Sequence, residues 1–262
     1  MGIDYALEWP CEPRRALSTA LLVGLVKQRR TIDSILSQLP PGKTPSEITI
    51  QRVVTGPRGP VRESATLQQM LDETRALDTH ASACVGCPAN GKGDPYGCVD
   101  YIPYPIEPST ESWTLSLLPQ DAESTAGTFL RSALREMSYD GDSARELRGK
   151  DAGLFSLSNA AVRSWADGTI VTFDQVFEML FMVERVDPPH GMILLLLMGL
   201  LPYDLPPDDI LRLQREGSYR ASLLSRPQAV PMGLLETEVP IFRYLVALRR
   251  AAALSATVLI SY

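Results

Sequence analysis

Cysteine spacing is the feature that most constrains what this chain can fold into. Cys84, Cys87 and Cys98 fall within fifteen residues of a segment rich in Gly, Pro and Asn, and the fourth cysteine, Cys11, lies near the N-terminus. A Cys-x2-Cys turn presents two sulfurs to one ion, and two further sulfurs complete a tetrahedral shell. We therefore predict a metal site in which these four residues tie the N-terminal segment to a distant loop.

The fourth ligand and the bound metal each have an alternative. His80 is a possible fourth ligand in place of Cys11, because it stands four residues before Cys84. Gly86 and Pro88 fit a tight turn that aims backbone amides at thiolates, as both zinc and iron–sulfur sites need. Zinc is the metal we favour, because an iron–sulfur cluster prefers an apolar, shielded setting, and the nearby tyrosines Tyr96, Tyr101 and Tyr104 are more simply explained by ordinary packing. An iron–sulfur cluster is the alternative cofactor. Reduced thiols or a disulfide form the third interpretation, with disulfides disfavoured in a reducing compartment.

The cysteine segment also resembles a known sequence pattern. Cys-x2-Cys-Pro-Ala-Asn at residues 84–90, Gly-Cys at 97–98 and Tyr-Pro-Ile at 104–106 are similar to a segment of an uncharacterised bacterial family. The resemblance covers about a tenth of the chain. It implies no activity, so no functional role is carried over to any residue.

Alternating or β-branched runs predict strands in the first part of the chain. They lie at residues 5–9, 48–54, 99–106 and 113–117. Pro103 and Pro105 place the third of these at the edge of a sheet, because proline cannot donate to a strand ladder. These strands lead into or away from the cysteines.

Helical signals occur in the first part and dominate the second. Leu17, Leu21 and Leu25 repeat every four residues after Pro13 and predict a helix that buries this face. Ser/Thr-x-x-Gln capping boxes predict helix starts at residues 66–69 and 172–175. Further helices are predicted near residues 129–137, 176–183, 191–201, 206–215 and 218–225, and from about residue 238.

These patterns together predict an α+β fold. A small mixed unit that carries the cysteine metal site occupies residues 1–120, and a mainly helical region occupies residues 121–262. The boundary near residue 120 separates the two, although both could belong to one domain.

Charge and hydropathy argue against two classes of partner. The formal net charge is −6, whereas nucleic acid attracts a basic surface. The apolar runs Met192–Leu201 and Ile241–Ile260 are read as buried helices, because the first is too short to span a bilayer and three arginines interrupt the second. The N-terminus lacks the basic start of a signal peptide. We expect no nucleic acid partner, no membrane partner and a cytoplasmic protein.

Three function hypotheses follow. The first is a non-enzymatic, metal-stapled regulatory or adaptor protein of the bacterial cytoplasm, acting through an unidentified protein partner. Met-rich helices could offer it a groove, with packing in the core as the more common explanation; the methionines are Met179, Met182, Met192 and Met198. We assign no catalytic residue. The alternative is an iron–sulfur or thiol redox protein or enzyme that uses Cys84, Cys87 and Cys98.

The third hypothesis is a helix-turn-helix DNA binder formed by residues 156–186. Residues 161–165 would be its recognition helix. The segment contains two Arg and no Lys against four acidic residues, which is a weak footprint for DNA.

Overall fold

The structure, a computed structural model, describes residues 2–56, 59–137, 139–150, 153–202, 205–224 and 233–261. Contacts divide the chain into a smaller unit, Pro10–Gly97, and a larger unit, Met1–Trp9 with Cys98–Tyr262. The fold is mixed α+β, as predicted. In chain order its elements are β1 (Gly2–Glu8), α1 (Glu12–Ala16), α2 (Thr19–Leu36), β2 (Thr49–Gly56), β3 (Gly59–Thr66), α3 (Leu67–Glu73), α4 (Arg75–His80), β4 (Val99–Pro103), α5 (Pro108–Ser116), α6 (Thr125–Glu136), α7 (Asp142–Lys150), β5 (Val162–Ser164), β6 (Ile170–Thr172), α8 (Phe173–Phe181), β7 (Arg185–Val186), α9 (Pro188–Leu197), α10 (Pro207–Arg215), α11 (Gly217–Leu224), α12 (Val239–Leu254) and β8 (Thr257–Ser261).

The smaller unit is built from α1 to α4 and the β2–β3 hairpin. Short 3₁₀ helices at Pro45–Glu47 and Ala81–Cys84 complete it. One hydrophobic cluster of this unit lies between α2, α3 and the hairpin. The buried members of that cluster are Ile32, Ala65, Leu67 and Met70.

The larger unit contains a four-stranded antiparallel sheet in the order β4-β1-β8-β7. The predicted edge strand is confirmed, because β4 pairs with β1 and ends the sheet. Helix α12 packs on the sheet, and α9 packs on α12. The run Ile241–Ile260 is therefore not one helix: α12 ends before Ser255, which has a positive φ of 52°, and the rest forms β8.

A ladder of aromatic rings runs through the larger unit. Tyr5 on β1 meets Tyr244 on α12 at a centroid separation of 5.2 Å. Tyr244 then contacts Phe181 at 5.1 Å, and Phe181 contacts Phe177 at 5.3 Å, both on α8. Phe177 reaches Phe155 at 5.1 Å. Edge-to-face and tilted pairs of this kind stabilise a core beyond the area they bury, so the ladder joins the sheet firmly to α8.

Both predicted capping boxes are confirmed. Thr66 accepts a hydrogen bond from the Gln69 amide at 3.2 Å, and the Gln69 side chain accepts one from the Thr66 amide at 2.8 Å. Thr172 and Gln175 repeat the arrangement at 3.3 and 3.0 Å. Such boxes satisfy helix N-terminal amides within four residues of sequence, which is why sequence alone locates α3 and α8.

Two local predictions are wrong. Residues 113–117 were expected to form a strand, but they lie in or just after α5, where Glu111 and Leu115 are buried one helical turn apart. Pro108 at the first helical position favours this start.

The predicted leucine face of α2 is also shifted. Ser18 caps a new helix after α1 ends, so Leu22 and Val26 are buried and Leu21 is 49% exposed.

The recognition helix predicted at residues 161–165 is wrong as well. These residues enter β5, which pairs with β6 around a turn where Gly168 has a φ of +82°. β-branched residues in both strands favour this hairpin. Arg163, which would have faced DNA, instead donates to the carbonyl oxygens of Leu115 and Leu118 at 2.8 Å each. The Asp167–Gly168 turn therefore joins two strands.

The predicted boundary near residue 120 falls inside the larger unit, between α5 and α6. The boundaries between the two units lie instead at residues 9–10 and 97–98, so β1 and β4 belong to the same unit as the helical region. The division of the chain into residues 1–120 and 121–262 stays a prediction. Among the residues that the structure describes, no helix is long and apolar enough to cross a bilayer.

We expect a side chain at Gly141, just before α7, to destabilise the folded protein. Its φ is +81°, and an added Cβ would lie 3.1 Å from the Gln175 amide nitrogen and 3.2 Å from Asp174 Cβ. We expect Gly141→Ala to lower the free energy of unfolding by about 1–3 kcal/mol. Gly149→Ala in the same helix meets nothing within 4 Å and should be neutral or stabilising by up to about 1 kcal/mol. Urea unfolding of both variants measures the difference, and equal effects would contradict the prediction.

Candidate metal centre

The Cys84–Cys87 segment forms a tight hydrogen-bonded turn. Cys84 ends the 3₁₀ helix Ala81–Cys84, and the Cys87 amide donates to the Cys84 carbonyl at 3.3 Å. Gly86 has a φ of +73°, a conformation that glycine adopts without a steric penalty. The Asn90 amide continues the turn by donating to the Cys87 carbonyl at 2.9 Å. Val85, between the cysteines, is 82% exposed.

Asn90 organises the loop that follows. Its side-chain amide donates to the carbonyl oxygens of Cys84 at 3.1 Å and Asp94 at 2.8 Å. Its side-chain oxygen accepts from the amides of Lys92 and Gly93 at 3.2 and 3.1 Å. A Cβ at Gly97 would lie only 2.1 Å from that oxygen. The glycines and the asparagine of the predicted motif are thus required by the loop's backbone geometry.

Tyr96 closes the loop over Cys84. It is buried despite a positive φ of 62°. Its backbone N–H donates to the Cys84 sulfur, and its hydroxyl donates to the Leu77 carbonyl. Burial, reinforced by the charge of Cys84, raises the pKa of Tyr96 to about 12. Tyr96 therefore stays a neutral hydrogen-bond donor at physiological pH.

Cys11, Cys84 and Cys87 interact electrostatically within the smaller unit. Burial raises the pKa of the Cys84 thiol, and the charges of Cys87 and Cys11 raise it further, against the Tyr96 N–H that lowers it. Cys11 is half-buried at the N-terminal end of α1. A bound cation would reverse this balance, because it stabilises neighbouring thiolates.

His80, the alternative ligand, is tied to the residue after Cys11. Its Nδ1 atom lies 3.0 Å from Glu12 Oε1, with side-chain exposures of 18% for His80 and 65% for Glu12. This hydrogen bond connects the last residue of α4 to the first residue of α1. Two of the sequence-predicted ligand segments are therefore held together.

Cys98 belongs to the larger unit. It is buried, and its carbonyl oxygen accepts from the Leu7 amide at 2.9 Å. Asp100, two residues on, pairs with Tyr5, whose hydroxyl lies 3.4 Å from Asp100 Oδ2. None of the four cysteines forms a disulfide. Within the described ranges, no three or more His, Cys, Asp or Glu side chains are grouped so as to hold a metal ion. Metal binding would require the ligands to converge further.

A second cluster, which the sequence patterns did not reveal, lies inside the larger unit. Arg148 on α7 has a side chain only 1% exposed. It donates to Asp174 Oδ1 at 3.0 and 2.7 Å, to Glu111 Oε1 at 2.8 Å and to the Leu157 carbonyl at 2.8 Å. Its guanidinium also lies 3.8 Å from the centre of the Phe155 ring. This one side chain links α5, α7, α8 and the segment before β5.

The remaining carboxylates of the cluster are also hydrogen-bonded. Glu111 Oε2 accepts from the Ala161 amide at 2.8 Å. Glu178 accepts from the amides of Gly141 at 2.8 Å and Ala144 at 3.0 Å, which lie at the start of α7. Burial raises the pKa of Glu111, against the hydrogen bonds from Ala161 and Arg148 that lower it. We interpret the cluster as a structural network rather than a reactive site.

A sequence signal for this network exists. Asp174 and Glu178 stand four residues apart in a helix whose other core positions are apolar, and both are buried. Charged side chains are almost never fully buried unless they are paired. Acidic residues on an apolar helical face therefore predict a buried basic partner, although the pattern does not say which one.

The structure thus describes an α+β protein with a cysteine turn in one unit and a buried ionic network in the other. Comparison of the chain with protein-family models, with curated proteins and with solved structures found no match in any of the three. Its function is therefore argued from these residues.

Proposed function

We propose that this chain is a metal-stapled regulatory or adaptor protein in which zinc, bound by Cys11, Cys84 and Cys87, fixes the smaller unit for contact with a protein partner. The observation that carries the proposal is the Cys84–Cys87 turn. A left-handed Gly86 and an N–H donated to the Cys84 sulfur are features that thiolate–metal turns require. A metal bound there would add folding free energy to the smaller unit.

The methionine side chains do not form the surface that contacts a partner. Met179, Met192 and Met198 are 1% exposed or less, so these methionines fill the core and do not form a groove. Val85 offers a better contact, because it is a large apolar side chain exposed at the tip of the cysteine turn. Zinc would hold this tip in one conformation, which lowers the entropic cost of docking.

Redox use of the cysteines is the second candidate. Buried Cys84 and Tyr96 would supply the shielded setting that an iron–sulfur cluster prefers. A reactive thiol pair is less well supported, because reactive cysteines have lowered pKa values whereas burial raises the pKa of Cys84.

Metal analysis and an absorption spectrum test the proposal. Untagged protein, purified without added metal, is expected to carry one zinc per chain and to be colourless. Cys87→Ser should lose the zinc, whereas Val85→Ser, in the same turn, should keep it. Iron with a broad visible band would replace the proposal with the redox candidate, and protein without metal would refute both the zinc site and the iron–sulfur cluster.

The contact role has its own test. Proximity labelling in the native cell, with wild-type protein and a Val85→Asp variant that keeps its zinc, should identify a stoichiometric partner that only the wild type labels. Identical labelling by both proteins would contradict docking at Val85.

A further inference from the structure

The pairing register of the β2–β3 hairpin shows which residues of β2 face away from β3. The Leu67 amide donates to the Ile48 carbonyl at 3.0 Å, and these two residues continue the register in which Thr49 lies opposite Thr66. In an antiparallel pair, hydrogen-bonded residue pairs alternate with non-hydrogen-bonded pairs along the strands. Even-numbered residues of β2 therefore bond to β3, and odd-numbered residues direct their N–H and C=O groups outward.

The outer edge of β3 is closed to a further strand. The residues of β3 that lie opposite the odd-numbered residues of β2 run from Pro60 to Thr66, and they also face outward. Pro60 has no N–H to donate, and the Thr66 amide already donates to the Gln69 side chain at 2.8 Å. Proline on an outer edge is one of the devices by which proteins prevent strand pairing.

The outer edge of β2 has no such protection. This strand of eight residues contains no proline, and its outward-facing residues Thr49, Gln51 and Val53 are exposed, Val53 to 64%. Within the part of the chain that the structure describes, the backbone groups of Gln51 and Val53 make no hydrogen bond outside the hairpin. A row of unpaired N–H and C=O groups is a template for a further strand, and a hairpin of only two strands is marginally stable in water.

Among the described strands, β2 itself is the one that matches this edge. The strands β5, β6 and β7 have three residues or fewer, and β4 contains Pro103. β1 and β8 are paired on both sides. An antiparallel edge that pairs with its own copy forms a twofold interface, which is the commonest symmetry of protein oligomers.

Charge favours one register for such a pair. If the twofold axis passed through Arg52, its side chain would lie directly opposite the partner's Arg52, and like charges in that position are destabilising. An axis through Val53 avoids this contact. It packs Val53 against the partner's Val53 and places Gln51 opposite the partner's Thr55, so that outward-facing backbone groups of both copies meet.

We infer that two copies of this chain associate through β2, antiparallel and with Val53 at the twofold axis, to form a four-stranded sheet in the order β3-β2-β2-β3. The interface uses the outer edge of β2 and the exposed face around Val53. This inference does not depend on the proposed metal centre.

Sedimentation equilibrium of the full-length protein tests the association. The wild type is expected to have twice the mass of one chain and to dissociate on dilution. Val53→Lys should weaken the dimer by about tenfold or more, because it removes an apolar cross-strand pair and places two like charges opposite each other. Val61→Lys is the matched control, since Val61 is a half-exposed valine on β3, and it should leave the dimer intact. Wild-type protein that stays monomeric at its highest soluble concentration, or a dimer that Val53→Lys leaves unchanged, overturns the inference.

Cysteine crosslinking tests the register. Hydrogen-bonded antiparallel pairs have Cα atoms about 5.5 Å apart, a separation that a disulfide spans. Val53→Cys should therefore give a reducible crosslinked dimer under mild oxidation with copper phenanthroline. Ser64→Cys, on the exposed edge of β3, should give no more than the wild type, because three strand spacings, about 14 Å, separate the two copies of this residue. Crosslinking by Ser64→Cys and not by Val53→Cys would show that a different edge pairs.

Circular dichroism checks that the substituted proteins fold, as expected for changes at exposed positions.

Discussion

If zinc occupies the proposed centre, removing it with a chelator is expected to unfold the smaller unit, at a loss of about 5 kcal/mol or more. Structural zinc contributes folding free energy directly, at about 10–16 kcal/mol in small zinc-dependent folds. The cysteine loop lies outside the cluster around Ile32, Leu67 and Met70, so in the proposed site the metal would be a further tether of this loop.

Hydrogen exchange followed by mass spectrometry can localise the effect. Amide protection should disappear in residues 10–97 and persist in α8, α9 and α12, whose core side chains are fully buried. Cys87→Ser should reproduce the chelator result, and Val85→Ser should not. Retained protection around the cysteine loop after zinc removal would show that the metal has no structural role.

Replacing Arg148 by Met is expected to destabilise the larger unit by about 3–5 kcal/mol at neutral pH. The side chain is 1% exposed, and it donates to Asp174 and Glu111, which are also buried. Removing one member of a buried ionic network leaves the opposite charges without compensation, and this costs far more than the loss of a surface pair. Arg145→Met, on the same helix with a side chain 60% exposed, should change stability by less than about 1 kcal/mol.

The Arg148→Met deficit should shrink as the pH falls. In the native protein Arg148 lowers the pKa of Glu111 against the effect of burial, so loss of the guanidinium raises that pKa further in the variant than in the wild type. A raised carboxyl pKa stabilises the folded state at low pH, and this contribution is lost as pH rises through the folded pKa. Urea unfolding at pH 7 and at about pH 5 measures the change; a deficit that grows on acidification would refute this assignment.

A triple variant separates charge from packing. Arg148→Met combined with Glu111→Leu and Asp174→Leu replaces the whole network by apolar side chains. It should be more stable than Arg148→Met alone, because no buried charge is left unpaired. If the triple variant is less stable than the single one, the network holds α5, α7 and α8 together mainly through its hydrogen-bond geometry.

The features that could be predicted from the sequence are those decided by interactions between residues close in the chain. The capping boxes at Thr66 and Thr172 depend on residues within one helical turn, and the structure has both. The cysteine turn is similar, because Gly86 and Asn90 satisfy its backbone within a few residues. These features could be predicted, although metal binding by the turn and the nature of the fourth ligand remain predictions.

Failures occurred where a short pattern was compatible with two structures. Alternation at residues 113–117 suits a strand, yet a helix buries Glu111 and Leu115 on one side, where Glu111 meets Arg148. Val162 and Arg163 were read as part of a recognition helix, yet they pair with β6. In each case a distant partner decides between helix and strand, and no window of a few residues contains that partner.

The sequence by itself determined the starts of α3 and α8, the edge position of β4, the glycine-dependent cysteine turn and the mixed α+β class, because each follows from backbone hydrogen bonding or side-chain chemistry within a short segment. Only the tertiary structure decided that β8 lies beside β1, that Arg148 is buried among carboxylates and that Glu12 holds His80. The partners in these contacts are 26 to more than 200 residues apart in the sequence. Their choice depends on packing of the whole chain, since burial of a charge or a strand edge is favourable only when a matching group arrives with it.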